Sequence, residues 1–139
     1  RTLWGWIAVL TMTLAMCALF LARWWQSLPE RAGSFGAEFR NVRLGRVLGI
    51  AGALFIGASL FTEKALVGDI GRLFLGSLVI VGLAATHRAV SQGKLAGAWL
   101  WVTYALLIVV APFAVIGLAT LGFVDNWLRS QPPARSAAT

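Results

Sequence analysis

Residues able to do chemistry are sparse in this 139-residue chain, and they do not gather into a catalytic set. There is one histidine, His87, one cysteine, Cys17, and five carboxylates, mostly at the ends of apolar runs. No nucleophile–base motif, glycine-rich phosphate loop or metal-ligand spacing occurs, so neither an enzyme nor a cofactor is expected. His87 closes an apolar run, where an imidazole could relay a proton or act as a ligand. With no second histidine or nearby carboxylate, hydrogen bonding to loose helix-end carbonyls is the expected role. Asp69 and Arg72, three apart, can face each other on one helix. Such a pair could gate an ion path, but near a helix end it is read as an interfacial ion pair that sets helix depth. Asp125 can pair with Arg129 at i, i+4 beside Asn126 and the interface anchor Trp127, forming a structural end-cap. Thr103 and Tyr104, with Ser77, are candidates to line a polar pocket. Cys17 lies inside an apolar run and is read as a small buried hydrophobe.

The elements that must carry these residues follow from composition. Apolar residues make up 59% of the chain and charged residues 12%, and the mean hydropathy is +0.80. A soluble domain runs near ~25% charged, and a chain this small could not bury so much apolar surface in water. An all-α integral membrane bundle is therefore expected. The net charge of +7 comes almost wholly from arginines between apolar runs. That placement fits cytoplasmic loops of a membrane protein rather than nucleic-acid binding.

A helix needs about 20 apolar residues to cross a ~30 Å hydrocarbon core. The pattern predicts four such helices, at about 3–22, 44–62, 65–86 and 95–124, within a domain of residues 1–129. The first is flanked by Trp4 and Trp6 at one end and Trp24 and Trp25 at the other, as aromatic belts would be. Glu63 and Lys64 alone separate the second and third, which implies a tight antiparallel hairpin. The fourth is long and holds Pro112 near its middle. One tilted helix kinked at the proline is expected; two half-crossings meeting at Ala111-Pro112 are the alternative. Residues 130–139, rich in Pro, Ser and Ala, read as a flexible tail. The opening on Arg1 is read as the start of a segment of a longer product.

The connection 23–43 is broken at Pro29 and Gly33. After Ser34, a possible N-cap, Phe35, Phe39 and Val42 recur at i, i+4, i+7 with Arg40 and Arg43 on other faces. Either a short amphipathic helix in the membrane interface or an ordinary polar loop fits this pattern. Arg40, Arg43 and Arg46 form a candidate contact for lipid or a partner. The basic residues put the first and third loops in the cytoplasm and, with four crossings, both termini outside; a re-entrant fourth segment would put the C-terminal end inside. Gly45/Gly49 and Gly93/Gly97 are spaced for close helix packing.

Four segments occur in an order that resembles a known family: Phe39-Arg40-Asn41-Val42-Arg43-Leu44-Gly45-Arg46, Gly82-Leu83-Ala84-Ala85-Thr86-His87, Tyr104-Ala105-Leu106-Leu107, and Leu121-Gly122-Phe123-Val124-Asp125-Asn126-Trp127-Leu128-Arg129. From about Arg23 onward the chain is similar to the C-terminal half of YybS-like predicted bacterial membrane proteins. The family ending usually carries a further acidic residue and a phenylalanine where this chain reads Trp127-Leu128-Arg129. The resemblance implies a multi-pass protein of the bacterial inner membrane. It also implies kinship with substrate-binding subunits of vitamin transporters, in which a small molecule binds between helices and a separate ATPase drives uptake. A non-enzymatic transport-related or substrate-binding subunit is the first functional expectation. The second is a scaffold that packs against other membrane subunits, its arginine loop docking lipid or a cytoplasmic protein.

Overall fold

The computed structural model describes residues 3–30 and 33–129, and within them every regular element is an α-helix: α1 (Leu3–Glu30), α2 (Ser34–Arg40), α3 (Arg46–Ser59), α4 (Ala65–Ser91), α5 (Ala98–Val109) and α6 (Ala111–Arg129). The expected tail and Arg1, Arg31 and Arg135 lie outside the described residues. Three helices are long and apolar enough to cross a bilayer, over Leu3–Leu28, Ala65–Ser91 and Ala111–Arg129. Two shorter apolar helices, Arg46–Ser59 and Ala98–Val109, reach only about 21 and 18 Å at ~1.5 Å per residue, short of a ~30 Å core. The three long helices point to a membrane protein of the all-α class.

The three long helices run parallel. Gly5 of α1 lies against Asp69 and Arg72 of α4. Fifteen residues later, Phe20 stacks edge-on to Phe39, which in turn meets His87 near the end of α4. Likewise Gly82 of α4 faces Leu118 and Gly122 of α6, and Arg88 pairs with Asp125 further on. The short helices return the chain. α3 is antiparallel to α4, with Gly52 under Phe74 and Gly71 against the Phe55 carbonyl, which forms the expected hairpin. α5 leaves the end where α4 stops, and α6 comes back to it. One end of the bundle thus gathers Arg23, α2, Arg43, Arg46, His87, Arg88, Lys94, Asp125 and Arg129. We call it the basic end; the far end holds Glu63, Lys64, Asp69 and Arg72.

This arrangement corrects two expected elements. Residues 95–124 are not one kinked helix. The chain breaks at Val110 (φ −131°, ψ 49°) and reverses, so α5 and α6 form a hairpin. Pro112 then sits in the first turn of α6, where its missing N–H has no intrahelical acceptor to satisfy and its fixed φ favours helix initiation. The proline starts a helix instead of bending one. The C-terminal end of α6 consequently lies at the basic end, as the re-entrant alternative required, and not opposite it. The second expected helix is also shorter at its start, because Gly45 (φ 85°, ψ 167°) holds a backbone conformation open to glycine and Arg46 is the first helical residue. α1 and α4 run past their expected ends, to Glu30 and Ser91. α2 settles the loop question in favour of a short helix, with Gly33 at the N-cap position and no side-chain cap from Ser34.

The core is thin and lies between α4 and α6: Leu78, Val81, Ala84 and Ala85 against Leu118 and Ala119. Gly82 and Gly122 bring the two backbones into contact. A Cβ on Gly82 would run into the Leu118 carbonyl, and one on Gly122 into the Leu78 carbonyl. This is the close approach that small residues permit in membrane helices. Of the glycines expected to do so, Gly49 alone packs against a neighbouring helix. Gly49 lies against Asn126, Gly45 and Gly93 supply positive φ, and nothing approaches Gly97.

Candidate functional site

At the basic end, α6 closes on the rest of the fold through Asp125, Asn126 and Arg129, all in its last five residues. Asn126, 2% exposed, is the centre. Its Oδ1 accepts the N–H groups of Leu44 and Gly45, both at 3.0 Å, and its Nδ2 donates to the Gly45 carbonyl at 2.9 Å. The amide thus completes the backbone just before α3, a segment with no regular partner of its own. Asp125 pairs with Arg88 of α4 and stands 3.7 Å from Arg129. The expected i, i+4 pair exists, yet Arg88 is the nearer partner. Arg88 also donates to the Arg40 carbonyl at 2.8 Å, and Arg129 to Asn41 Oδ1 at 3.3 Å. Arg23 of α1 grips Glu38 of α2, Nε donating at 2.8 Å. That contact, chiefly the hydrogen bond, holds the Glu38 carboxyl below its usual value.

The candidate arginines divide. Arg40 is half-buried, and its guanidinium folds back to 3.2 Å from where a Cβ on Gly36 would stand. Arg43 and Arg46 are exposed. Arg46 lies over the Trp127 ring at 5.2 Å, a cation–π contact at the level expected of an interface anchor.

His87 sits in an aromatic cluster rather than at a bare helix end. Its Nδ1 lies 2.9 Å from the Leu83 carbonyl, within its own helix, and Nε2 is 3.4 Å from the Tyr104 hydroxyl. A carbonyl can only accept, so Nδ1 carries the proton and Nε2 is left as an acceptor toward Tyr104. Phe39 and Tyr104 flank the imidazole edge-on at 5.5 and 6.0 Å. With Cys17, Phe20 and Phe35 these residues line an apolar groove of about 470 Å³ between α1, α2, α4 and α5. Neither the histidine pairing nor the groove was visible in the sequence; a clue lay in Phe35 and Phe39, whose helical spacing turns both toward one side.

The polar trio expected around a pocket is not assembled. Tyr104 joins the groove with His87, whereas Thr103 lines a second apolar groove of about 460 Å³ between α5 and α6, beside Trp99, Leu106 and Phe113. Thr103 and Ser77 donate to carbonyls of their own helices, Trp99 and Leu73, at 2.8 and 2.9 Å. Asp69 and Arg72 do pair, at the far end, packed over Gly5. Cys17 is exposed on α1, not buried, because α1 touches the bundle along one side only. Among the described residues no three of His, Cys, Asp and Glu converge as metal ligands would.

No family model, curated protein or solved structure matches the chain. The class rests on the fold: an all-helical chain with three helices long and apolar enough to span a membrane, tied together by polar contacts at one end.

Proposed function

We propose that the chain is a non-enzymatic, transport-related subunit of the bacterial inner membrane that binds a small, largely apolar molecule. The observation that supports this reading is the groove walled by Phe20, Phe35, Phe39, His87 and Tyr104. Its volume falls within the ~300–1,000 Å³ of small-molecule sites, and its mostly apolar wall with one convergent polar pair matches how such sites fix orientation. With its proton directed to His87 Nε2, the Tyr104 hydroxyl leaves its oxygen as an acceptor on an otherwise apolar wall. A ligand with one hydroxyl head on a ring or chain complements it. The basic end faces the cytoplasm on this reading, since arginine-rich ends stay inside, and a separate ATPase would supply the energy.

The test is native mass spectrometry of the protein taken from its own membrane into nanodiscs. A bound molecule of a few hundred daltons is expected. Its retention should fall about fivefold in Tyr104→Phe, the loss of one hydrogen bond, and further in His87→Ala. A preparation that carries other membrane proteins and no small molecule would instead support the scaffold reading.

A further inference from the structure

The charges at the two ends of the bundle do not balance alike. At the far end Glu63 and Asp69 stand with Lys64 and Arg72. At the basic end Glu38 is engaged by Arg23, and Asp125 by Arg88 and Arg129. Among the described side chains there, Arg40, Arg43, Arg46 and Lys94 make no ion pair, and of these Arg43 and Arg46 are exposed and three residues apart on one braced segment. They are not on a loose loop. Asn126 fixes the backbone between them through Leu44 and Gly45, and Trp127, one residue on, holds Arg46 over its ring. A tryptophan of this kind sits at headgroup level, so the two guanidinium groups lie where phosphates of a bilayer would be.

We propose that Arg43 and Arg46, braced by Asn126 and Trp127, form a docking surface for anionic phospholipid headgroups. The charge excess supplies attraction and the guanidinium forks match phosphate oxygens. The fixed backbone means that little ordering remains to be done on binding. Arg88 and Arg129 are excluded from the surface because Asp125 occupies them, and Arg40 because it folds onto α2.

The full-length protein in detergent is incubated with equal phosphatidylglycerol and phosphatidylethanolamine, and retained lipid is read by native mass spectrometry. The wild type should retain phosphatidylglycerol in preference, and the preference should shrink with added salt. Arg43→Gln with Arg46→Gln should lower phosphatidylglycerol retention by about 25-fold, at roughly fivefold per arginine. Lys64→Gln, which removes one charge at the far end, should leave it unchanged. Arg43→Lys with Arg46→Lys should keep part of the preference, since charge persists without the fork. Equal retention of both lipids by the wild type would overturn the proposal. So would an equal loss in Lys64→Gln, which would reduce the effect to net charge.

Discussion

The two ends of the bundle use the same residue types in opposite ways. At the far end, Asp69 and Arg72 pair within one turn of α4. At the basic end, Arg88 reaches from α4 to Asp125 on α6 and to the Arg40 carbonyl at the end of α2, and Asn126 reaches from α6 to the strandless segment before α3. A pair inside one helix can set how deep that helix sits, but it says nothing about which helix lies beside it. Contacts between elements far apart in sequence hold the topology. Lipid offers no hydrophobic force to bring helices together, so the parallel α4–α6 pair depends on two things: the backbone contact at Gly82 and Gly122, and the polar closure beyond it.

The sharpest way to break the contrast is Asn126→Ala. It strips two N–H groups and one carbonyl of their partners at a site that is 2% exposed. Each orphaned group costs about 1–3 kcal/mol, and partial rehydration at the bundle end lowers the sum, so a loss of about 3 kcal/mol is expected. Unfolding in mixed micelles of rising denaturing-detergent fraction measures it. A loss below about 1 kcal/mol would mean that the closure contributes little to the fold.

Next comes a matched pair of carboxylate deletions, one per end. Asp125→Ala leaves Arg88 largely buried without its partner and should cost about 2 kcal/mol, discounted from the ~3–5 kcal/mol of fully buried pairs. Asp69→Ala removes an i, i+3 pair whose members are a quarter exposed or more and should cost under ~1 kcal/mol. In the same unfolding assay, Arg88→Met added to Asp125→Ala should recover part of the loss, because no uncompensated charge then remains. Equal losses at the two ends would erase the distinction between local and cross-element pairing.

How much of this could be read from the sequence follows the same division. The long helices were legible because a bilayer imposes a length of apolar residues, and α2 was legible as an alternative because Phe35 and Phe39 share a face. The arginine-rich end was legible in kind, since basic residues punctuate the apolar runs. What failed were features that depend on a distant partner. Pro112 in an apolar run reads equally as a kink or as a first turn, and only the packing of α6 along α4 decides. Gly45/Gly49 and Gly93/Gly97 carried the visible four-residue spacing. Gly82 and Gly122, which make the contact, lie on different helices and show their pairing only in space. Helical spacing pairs Asp125 with Arg129, its neighbour on the helix, although Arg88 stands closer. Sequence proximity draws Asn126 into an end-cap, while its acceptors and donors lie more than eighty residues away.

The smallest effect concerns α2, which is tied to α1 by Arg23 and Glu38 outside the apolar body of the bundle. Arg23 lowers the Glu38 pKa, mainly by hydrogen bonding. A depressed carboxylate contributes stability that is complete above its unfolded value, near 4.5, and is lost as pH falls through the lower folded value. Hydrogen exchange of the 34–40 amides should therefore be unchanged from neutral pH down to about the ordinary carboxylate range and, after correction for intrinsic rates, faster below it. Phe35 and Phe39 continue to pack on Phe20 at any pH, so α2 should loosen without leaving. Glu38→Gln should show the loosened exchange at every pH and no transition. A variant that kept the transition would place the titrating group elsewhere, and α2 would then be held by its phenylalanines alone, as a purely apolar contact.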